Sequence, residues 1–372
     1  MDFRLSEEQA LMKQALTRFA ANLPQSDACE HGAQDRLWAE LVSLGLVGVS
    51  VPQDLGGAGG GPVETMIVME ALGSALVCSP YLETVVIGGA ILKRRPGFRS
   101  SALLKAILAG AARIAFAAYE PQARFELSDV ATVASRDGDS WVLNGAKAMV
   151  EGAGAMTHAI VSARTSGGQR DADGVSLFIV EKSAPGVTIH AYPLIDGRSG
   201  GDIVLTDVRV EEAALVGAAN QSGALIEQVI DEACAAICAE GVGIMQKLLD
   251  DTIAYTAQRR QFGHSLSALQ ALQHRMVDMY MALEQAKSAT LLATLNLDTA
   301  ARARAKAVSA AKATVSASAR MISQNAVQLH GGMGMTNDMQ VARYFRRATT
   351  LQSQFGSRDH HLARYAALDV AA

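Results

Sequence analysis

The chain has 372 residues, of which 49% are hydrophobic, 19% charged and 5% aromatic, and its formal net charge is −4. This length predicts two or three domains of an ordinary globular protein. The charge excludes a basic footprint for nucleic acid, and no apolar run approaches the ~20 residues of a membrane span. Four cysteines without zinc-site spacing favour buried thiols and no bound metal. The acidic, amphipathic start favours a cytoplasmic protein.

Residues 1–112 are predicted to form an N-terminal helical domain. Ser6 and Gln9 have the spacing of a capping box, and apolar residues follow at helical intervals. Residues 113–212 change to short β-branched or aromatic runs separated by turn residues, including "RDGDSW" with Asp-Gly at a hairpin tip. Because no helical pattern separates these runs, they predict an antiparallel β-barrel or sandwich.

Residues 213–372 return to long helical patterns. Three long segments and a shorter fourth carry apolar stripes, and Gly331 and Gly332 close the third segment. Long antiparallel helices of this kind pack as a bundle. The predicted fold class is therefore α+β, with a helical domain, a β domain and a C-terminal four-helix bundle in that order.

Two segments of the C-terminal region carry the strongest motif signal. They are "RRQFG" followed by the Gln of "ALQ", and "QLHGGMG". In this order and spacing, behind a β domain flanked by helices, they resemble the acyl-CoA dehydrogenase family of flavoproteins. The likeness runs the whole length, and it includes "VPQDLGGAGGG" near the start. Segments such as "SPYLETVVIGG" are most similar to the small subunits of bacterial two-chain enzymes of the pimeloyl-CoA dehydrogenase type.

The resemblance implies FAD as the cofactor. A planar cation suits a pyrophosphate, and glycines let a phosphate or adenine approach the backbone. In relatives these positions contact FAD across a subunit interface, which implies a homo- or hetero-tetramer. The positions assigned in this way to the non-ring part of FAD are Arg259, Gln261, Phe262, Gln270, Gln328, Leu329, Gly331, Gly332, Ser357 and Asp359.

The β domain is expected to hold the isoalloxazine ring. The stretch "FAAYEPQARFELSD" resembles the family's flavin-contacting strand end, but it has a tyrosine for a threonine and is two residues longer. A second stretch, "NGAKAMVEGA", has Met and Glu where relatives have Trp and Thr, and a Met can cover a flavin face through its polarizable sulfur. The ring contacts implied are Phe116, Ala118, Tyr119, Ser128, Met149 and Glu151.

The resemblance also implies α,β-dehydrogenation of an acyl-CoA thioester, with electron-transfer flavoprotein or a similar protein as acceptor. In relatives a glutamate removes the α-proton while the β-hydride passes to flavin N5. The loop that carries this glutamate in many relatives falls on "QFGS", so Phe355 stands at the base position. Other relatives place the base where this chain has Ala233. Asp231 and Glu232 are the neighbouring carboxylates, but Glu232 lies about 100° around the helix from that position.

Three hypotheses remain open at this point. The chain is a self-sufficient dehydrogenase that uses Glu232 or Asp231, or it is a base-lacking subunit that completes an FAD site with a larger homologous chain. A flavin oxidase or monooxygenase of the same fold is the third. Glu240 is a further carboxylate on the same helix as Glu232, and an ordinary place on the polar face is the favoured interpretation. Arg343, Arg346 and Arg347 could meet CoA phosphates, but a solvated basic face is favoured for them.

Overall fold

The computed structural model describes residues 4–23, 33–261, 263–336 and 338–370. They form two compact units: the first comprises the described residues of 1–28, 62–77 and 234–372, and the second those of 29–61 and 78–233. The three-domain division at residues 112 and 212 stays a prediction. Within the described ranges, no helix combines the length and apolar character that a membrane crossing requires.

Helices occupy both ends of the chain and strands its middle, as predicted. In chain order the helices are α1 (Glu7–Asn22), α2 (Ala33–Ser43), α3 (Pro62–Ser74), α4 (Gly89–Arg94), α5 (Phe98–Leu108), α6 (Gly223–Gln258), α7 (Gln270–Leu295), α8 (Ala301–His330), α9 (Val341–Leu351) and α10 (Arg358–Val370). The strands are β1 (Ile114–Ala117), β2 (Val133–Asp137), β3 (Ser140–Lys147), β4 (His158–Arg164), β5 (Val175–Glu181), β6 (Val187–Pro193), β7 (Ser199–Glu211), β8 (Arg260–Gln261) and β9 (His264–Ser265).

The first unit is helical, and α8 shows how its helices bury apolar residues. On α8 the buried residues recur every three or four positions, as Val308, Ala311, Val315, Ala319 and Ile322 show. α1 begins with the predicted capping box: Ser6 Oγ accepts from the Gln9 amide at 3.2 Å, and Gln9 Oε1 accepts from the Ser6 amide at 3.0 Å. The predicted helical bundle is confirmed, and α10 adds a helix beyond the four that the sequence indicated.

Two glycines allow α3 and α6 to approach backbone to backbone in the first unit. A Cβ atom on Gly73 would collide with the Glu240 carbonyl oxygen, and one on Gly243 would collide with the Glu70 carbonyl oxygen. The crossing is reciprocal because each glycine lies against the other helix. It therefore has no room for even one additional methyl group on either side.

The second unit is built on a sheet with strand order β1-β4-β2-β3-β7-β6, in which β5 also pairs with β4. The Asp-Gly hairpin joins β2 and β3 as predicted, with Gly138 at φ +62°. Most pairs are antiparallel, but β1 and β2 run parallel to β4, which corrects the purely antiparallel prediction. These parallel pairs join strands that are not consecutive in the chain, so no turn motif in the sequence predicts them. Trp141 and Phe178, with ring centroids 5.5 Å apart, belong to the core of the sheet.

The glycine crossing generates the first prediction. Gly243→Ala forces a methyl group into the Glu70 carbonyl oxygen, so we expect it to lower the free energy of unfolding by about 3 kcal/mol in urea denaturation. Gly89→Ala is the matched control, because the nearest atom to its added Cβ lies 3.9 Å away. The control should change stability by less than about 1 kcal/mol. Equal effects of the two changes would contradict the crossing.

Candidate functional site

A buried ion pair ties together the two stretches predicted to contact the flavin ring. Lys147 Nζ, at the end of β3, lies 2.6 Å from Glu120 Oε1 and 2.9 Å from Ser162 Oγ. The exposed fractions of the Lys147 and Glu120 side chains are 0% and 2%. Next to the pair, the Ala148 amide donates to the Tyr119 carbonyl oxygen at 3.0 Å. The segments after β1 and after β3 are therefore held at a fixed spacing.

Glu120 also organises the backbone that follows it. Its carboxylate accepts from the amides of Ala131 at 2.7 Å and Thr132 at 3.0 Å. Burial lowers the pKa of Lys147 to about 8, although the Glu120 carboxylate opposes this shift. Burial alone would raise the pKa of Glu120, but attraction and hydrogen bonding from Lys147 outweigh it and leave that pKa below its usual value. The carboxylate is thus kept ionised by its partners.

The predicted ring contacts differ in exposure. Phe116 on β1 and Ala118 after it are buried, and Tyr119 is half-buried. Ser128 belongs to a loop whose backbone is held by Arg164, since the Arg164 guanidinium donates to the Ser128 carbonyl oxygen at 2.7 Å. Met149 is 58% exposed and has φ +54°. An exposed apolar side chain on a left-handed backbone is uncommon and is typical of a functional position.

Glu151 lies in charged surroundings that the sequence did not indicate. It lines a small cavity of the second unit together with Glu83, Arg113 and Arg198. Two carboxylates and two guanidinium groups therefore share this lining. The other three charges come from segments far from Glu151 in the chain, so no spacing in the sequence could have grouped them.

In the first unit, a groove brings together several residues predicted to bind the non-ring part of FAD. Its volume is about 660 Å³, within the range of roughly 300–1,000 Å³ that is usual for small-molecule sites. Gln261 on β8 and Gln270 at the start of α7 do not line it, and Phe262 lies outside the described residues. The lining residues are Tyr255, Arg259, Leu266, Ala271, Leu272, Arg275, Gln328, Leu329, His330, Gly331, Gly332 and Met333.

The chemistry of this groove fits a phosphate-bearing nucleotide. Arg259 and Arg275 supply guanidinium groups, and a Cβ on Gly331 or Gly332 would meet no atom within 4 Å, so the glycine backbone is open to a ligand. The His330 ring stacks on Tyr255 at a centroid distance of 4.3 Å.

His330 adds a polar group to this groove that the sequence reading missed. Its Nδ1–H donates to the Ala326 carbonyl oxygen at 2.8 Å, while its buried Nε2 has no hydrogen-bond partner in the part of the chain that the structure describes. Arg275 was missed as well, because no role was assigned to the residues after Gln270. The motif "QLHGGMG" was the signal that pointed to this end of α8.

The loop after α9, which carries Phe355 at the usual base position, is fastened by a buried lysine. Lys312 Nζ donates to the carbonyl oxygens of Leu351 at 2.9 Å, Gln352 at 3.2 Å and Gly356 at 3.2 Å. These carbonyls lie at and just after the C-terminal end of α9, where a positive charge is favourable. The charge of Lys312 therefore holds the loop instead of facing solvent.

Phe355 itself has φ +57°, and its carbonyl oxygen lies 3.2 Å from His361 Nε2. Burial lowers the pKa of His361 to about 3, so its imidazole is neutral near pH 7 and its Nε2–H donates to Phe355. Ser357 Oγ accepts from the His360 amide at 3.2 Å, which places Ser357 at the start of α10, and Asp359 lies in its first turn. The Phe355 carbonyl and the segment that follows it are thus held by hydrogen bonds to the start of α10.

Glu240 and Arg347 are not the solvated residues that the sequence predicted. Arg347 Nε and Nη2 donate to the two oxygens of Glu240 at 2.7 and 2.6 Å, and both side chains are 3% exposed. Arg347 Nη2 also donates to Gln354 Oε1 at 3.1 Å. That interpretation is wrong because the polar faces of α6 and α9 are packed together, which a single-helix pattern does not reveal.

Glu232 is next to Ala233, the second position at which the resemblance predicts a base, and it forms an ion pair with Arg94. Arg94 Nη2 donates to its Oε1 at 2.6 Å and Nη1 donates to its Oε2 at 3.1 Å. Burial raises the pKa of Glu232, and Arg94 offsets part of that rise. Asp231 and Ala233 are fully buried. The arrangement uses both carboxylate oxygens of Glu232 in one ion pair.

The described cysteines Cys78, Cys234 and Cys238 are buried, as predicted, and burial raises the pKa of Cys238 to about 12. Cys29 lies outside the described residues. Across the described ranges, no cluster of three or more His, Cys, Asp or Glu residues is arranged to hold a metal ion.

Comparisons with known proteins agree along the whole chain. Models of the N-terminal, middle and C-terminal domains of acyl-CoA dehydrogenases match residues 6–94, 115–208 and 223–367. Probable acyl-CoA dehydrogenase FadE25 of Mycobacterium tuberculosis is 30% identical over 365 residues, which cover 95% of this chain and 93% of that protein. The caffeyl-CoA reductase-Etf complex subunit CarC of Acetobacterium woodii is 31% identical over 316 residues, or 82% of each chain. Butyryl-CoA dehydrogenase from Megasphaera elsdenii has the same fold, with a TM-score of 0.91 at 24% identity over 100% of both chains.

The buried pair of the second unit generates a prediction about stability. Lys147→Met leaves the Glu120 carboxylate buried without its cation, so we expect a loss of about 3–5 kcal/mol in the free energy of unfolding. The double variant Lys147→Met/Glu120→Gln removes both charges and keeps an acceptor for the backbone amides. In urea denaturation it should recover more than half of the loss, and a double variant no more stable than the single one would contradict this account.

A third prediction concerns the dependence of stability on pH. The pKa of folded His361 is about 3, below the ~6.5 of an unfolded histidine, so the unfolded chain binds more protons between these values. Stability contributed by the neutral ring is present above pH 6.5 and is lost as pH falls below it. Relative to His361→Gln, the wild type should lose about 2 kcal/mol between pH 8 and pH 5 in urea unfolding. If the free energies of unfolding of the two proteins changed equally with pH, the burial of a neutral His361 imidazole would be contradicted.

Proposed function

Because this chain belongs to the acyl-CoA dehydrogenase family of FAD-dependent oxidoreductases, we propose that it is a dehydrogenase subunit whose α-proton acceptor is supplied by another chain. One observation carries the proposal. Both family base positions hold side chains that cannot accept a proton, Phe355 and Ala233, and the adjacent carboxylate of Glu232 is bound by Arg94.

The two parts of the FAD site are assigned to separate sets of residues. Arg259, Arg275 and the open backbone at Gly331 and Gly332 suit the phosphate-bearing part of the cofactor. Ala118, Tyr119, Met149 and Glu151 are assigned to the ring, with the Glu120–Lys147 pair fixing their spacing. When bound, FAD supplies the hydride-accepting chemistry, while the protein provides binding and orientation.

Glu232 is a poor candidate for the base although burial raises its pKa. A general base needs a lone pair within hydrogen-bond reach of the proton that it removes, so geometry decides before pKa. The two guanidinium nitrogens of Arg94 occupy both oxygens of Glu232. Turning one oxygen toward a substrate would break a charge-assisted hydrogen bond to Arg94, whose side chain is 25% exposed.

The proposal extends to the partners of the chain. The groove that contains Arg259 and the residues Gln261 and Gln270 are exposed in the single chain, which supports an FAD site completed by a second subunit. That subunit is proposed to be a larger homologue with the missing glutamate, in a cytoplasmic heterotetramer. An acyl-CoA is the proposed substrate, and electron-transfer flavoprotein or a similar protein is the proposed acceptor.

The test uses the purified chain kept at a saturating concentration of FAD, which compensates for weaker binding without the second subunit, and mixes it anaerobically with butyryl-, octanoyl- and pimeloyl-CoA. The wild type should retain its flavin colour. Phe355→Glu should be bleached at least about 100-fold faster by one of these thioesters, since a positioned base contributes roughly 10²–10⁴-fold. Phe355→Gln is the matched control. A glutamine is similar to a glutamate in size and polarity but has no carboxylate to accept the α-proton, so this variant should behave as the wild type.

Rapid bleaching of the wild type that Glu232→Gln abolishes would overturn the proposal in favour of a self-sufficient dehydrogenase. Rapid reoxidation of the reduced flavin by oxygen in any variant would instead favour an oxidase. Failure of the chain to retain FAD with any co-expressed homologue would contradict the cofactor assignment itself.

A further inference from the structure

The segment around Met149 is fixed on both sides by backbone hydrogen bonds. The Val150 amide and carbonyl exchange hydrogen bonds with Gly201 at 2.8 and 3.0 Å, and the Gly152 amide donates to the Ser199 carbonyl oxygen at 2.9 Å. This pairing ties the segment to β7. The backbone that follows Met149 is therefore fixed against the sheet.

Met149 adopts a backbone conformation that its own chemistry disfavours. Its φ of +54° lies in the left-handed region, which a long side chain rarely adopts. Its amide donates to Asp202 Oδ1 at 3.1 Å, so the carboxylate stabilises the turn from outside the segment. The Met149 side chain nevertheless remains 58% exposed, so burial of the thioether within this chain does not offset the free-energy cost of the strained backbone.

A tyrosine holds the other end of the same residue. Tyr192 Oη lies 2.9 Å from Asp202 Oδ1 and 3.3 Å from Met149 Sδ. A phenol has one proton to donate, and the charged carboxylate is the stronger acceptor, so the thioether rests against the hydroxyl oxygen. Burial and then Asp202 raise the pKa of Tyr192, which keeps this hydroxyl protonated.

Asp202 and Tyr192 lie on the same face of two paired strands. His190 of β6 pairs with Asp202 of β7, and Tyr192 is two residues further along β6, so the two side chains are diagonal neighbours. Groups placed on sheet strands hold a functional side chain more closely than groups on loops do. Left-handed backbone at a long apolar side chain, maintained by hydrogen bonds from other segments, motivates a hypothesis of function.

We propose that Asp202 and Tyr192 are positioning residues that hold Met149 as a preformed thioether cover for a planar, electron-poor heteroaromatic ring. This inference rests on the proposed FAD site, in which that ring is the isoalloxazine. Sulfur makes favourable contacts with aromatic rings, and a thioether has no hydrogen-bond donor that would compete for the ring's polar atoms. Asp202 and Tyr192 act through their contacts with Met149.

The test follows the Met149 methyl group by NMR in protein labelled with [methyl-¹³C]methionine and assigns its signal with Met149→Leu. In the FAD-free protein, Asp202→Ala should move this signal to the position of a freely rotating methionine, and Tyr192→Phe should move it part of the way. Asp207→Ala is the matched control, since Asp207 is also on β7 but accepts from Asn144, and it should leave the signal in place. Thermal unfolding checks that each variant keeps its sheet.

The second arm adds FAD. The Met149 methyl should shift upfield under the ring current, and Asp202→Ala should weaken FAD binding by about 2- to 10-fold, the range of a sulfur–aromatic contact. The inference would be overturned if Asp202→Ala left the Met149 methyl signal unchanged in the FAD-free protein. It would also be overturned if the signal did not shift when flavin absorbance shows that FAD is bound. If no FAD binds, the proposed function fails, and the FAD-free arm still decides whether Asp202 and Tyr192 position Met149.

Discussion

The buried ion pair between Glu120 and Lys147 is the constraint on which the sheet end of this molecule depends. Two opposite charges without solvent are stable only when hydrogen bonds satisfy the remaining lone pairs and protons. Here Ser162 and the amides of Ala131 and Thr132 supply those bonds, so one ion pair draws four chain segments to a common point. The segments after β1 and after β3, which are assigned to the flavin ring, are both anchored by this ion pair.

The same principle operates in the helical unit with different groups. Lys312 binds backbone carbonyls, Arg347 binds Glu240, and His361 stays neutral to donate to Phe355. Each buried polar group holds the loop that carries a phenyl ring in place of the family's glutamate. The loop thus holds its shape although it carries Phe355 and no glutamate, and a fixed loop of this kind is consistent with the proposal that another chain supplies the base.

The sequence was most informative where function is encoded in contiguous residues. The helical, β and helical order, the capping box at Ser6, the Asp-Gly hairpin and the flavoprotein motifs were all readable, because each depends on neighbours along the chain. The absence of a glutamate at Phe355 was equally visible. Glu240 and Arg347 were misread as solvated residues, since periodicity shows which helix face is polar but not what packs against it.

By itself, the sequence determined the family, the order of the structural regions and the presence of Phe355 and Ala233 at the positions predicted for the base. Only the tertiary structure decided that Arg94 binds Glu232, that Arg275 and His330 line the groove of the first unit, and that Asp202 and Tyr192 contact Met149. The physical reason is range. Propensity, capping and turn chemistry act within a few residues, whereas ion pairs and hydrogen bonds between distant segments depend on how the backbone has already been brought together.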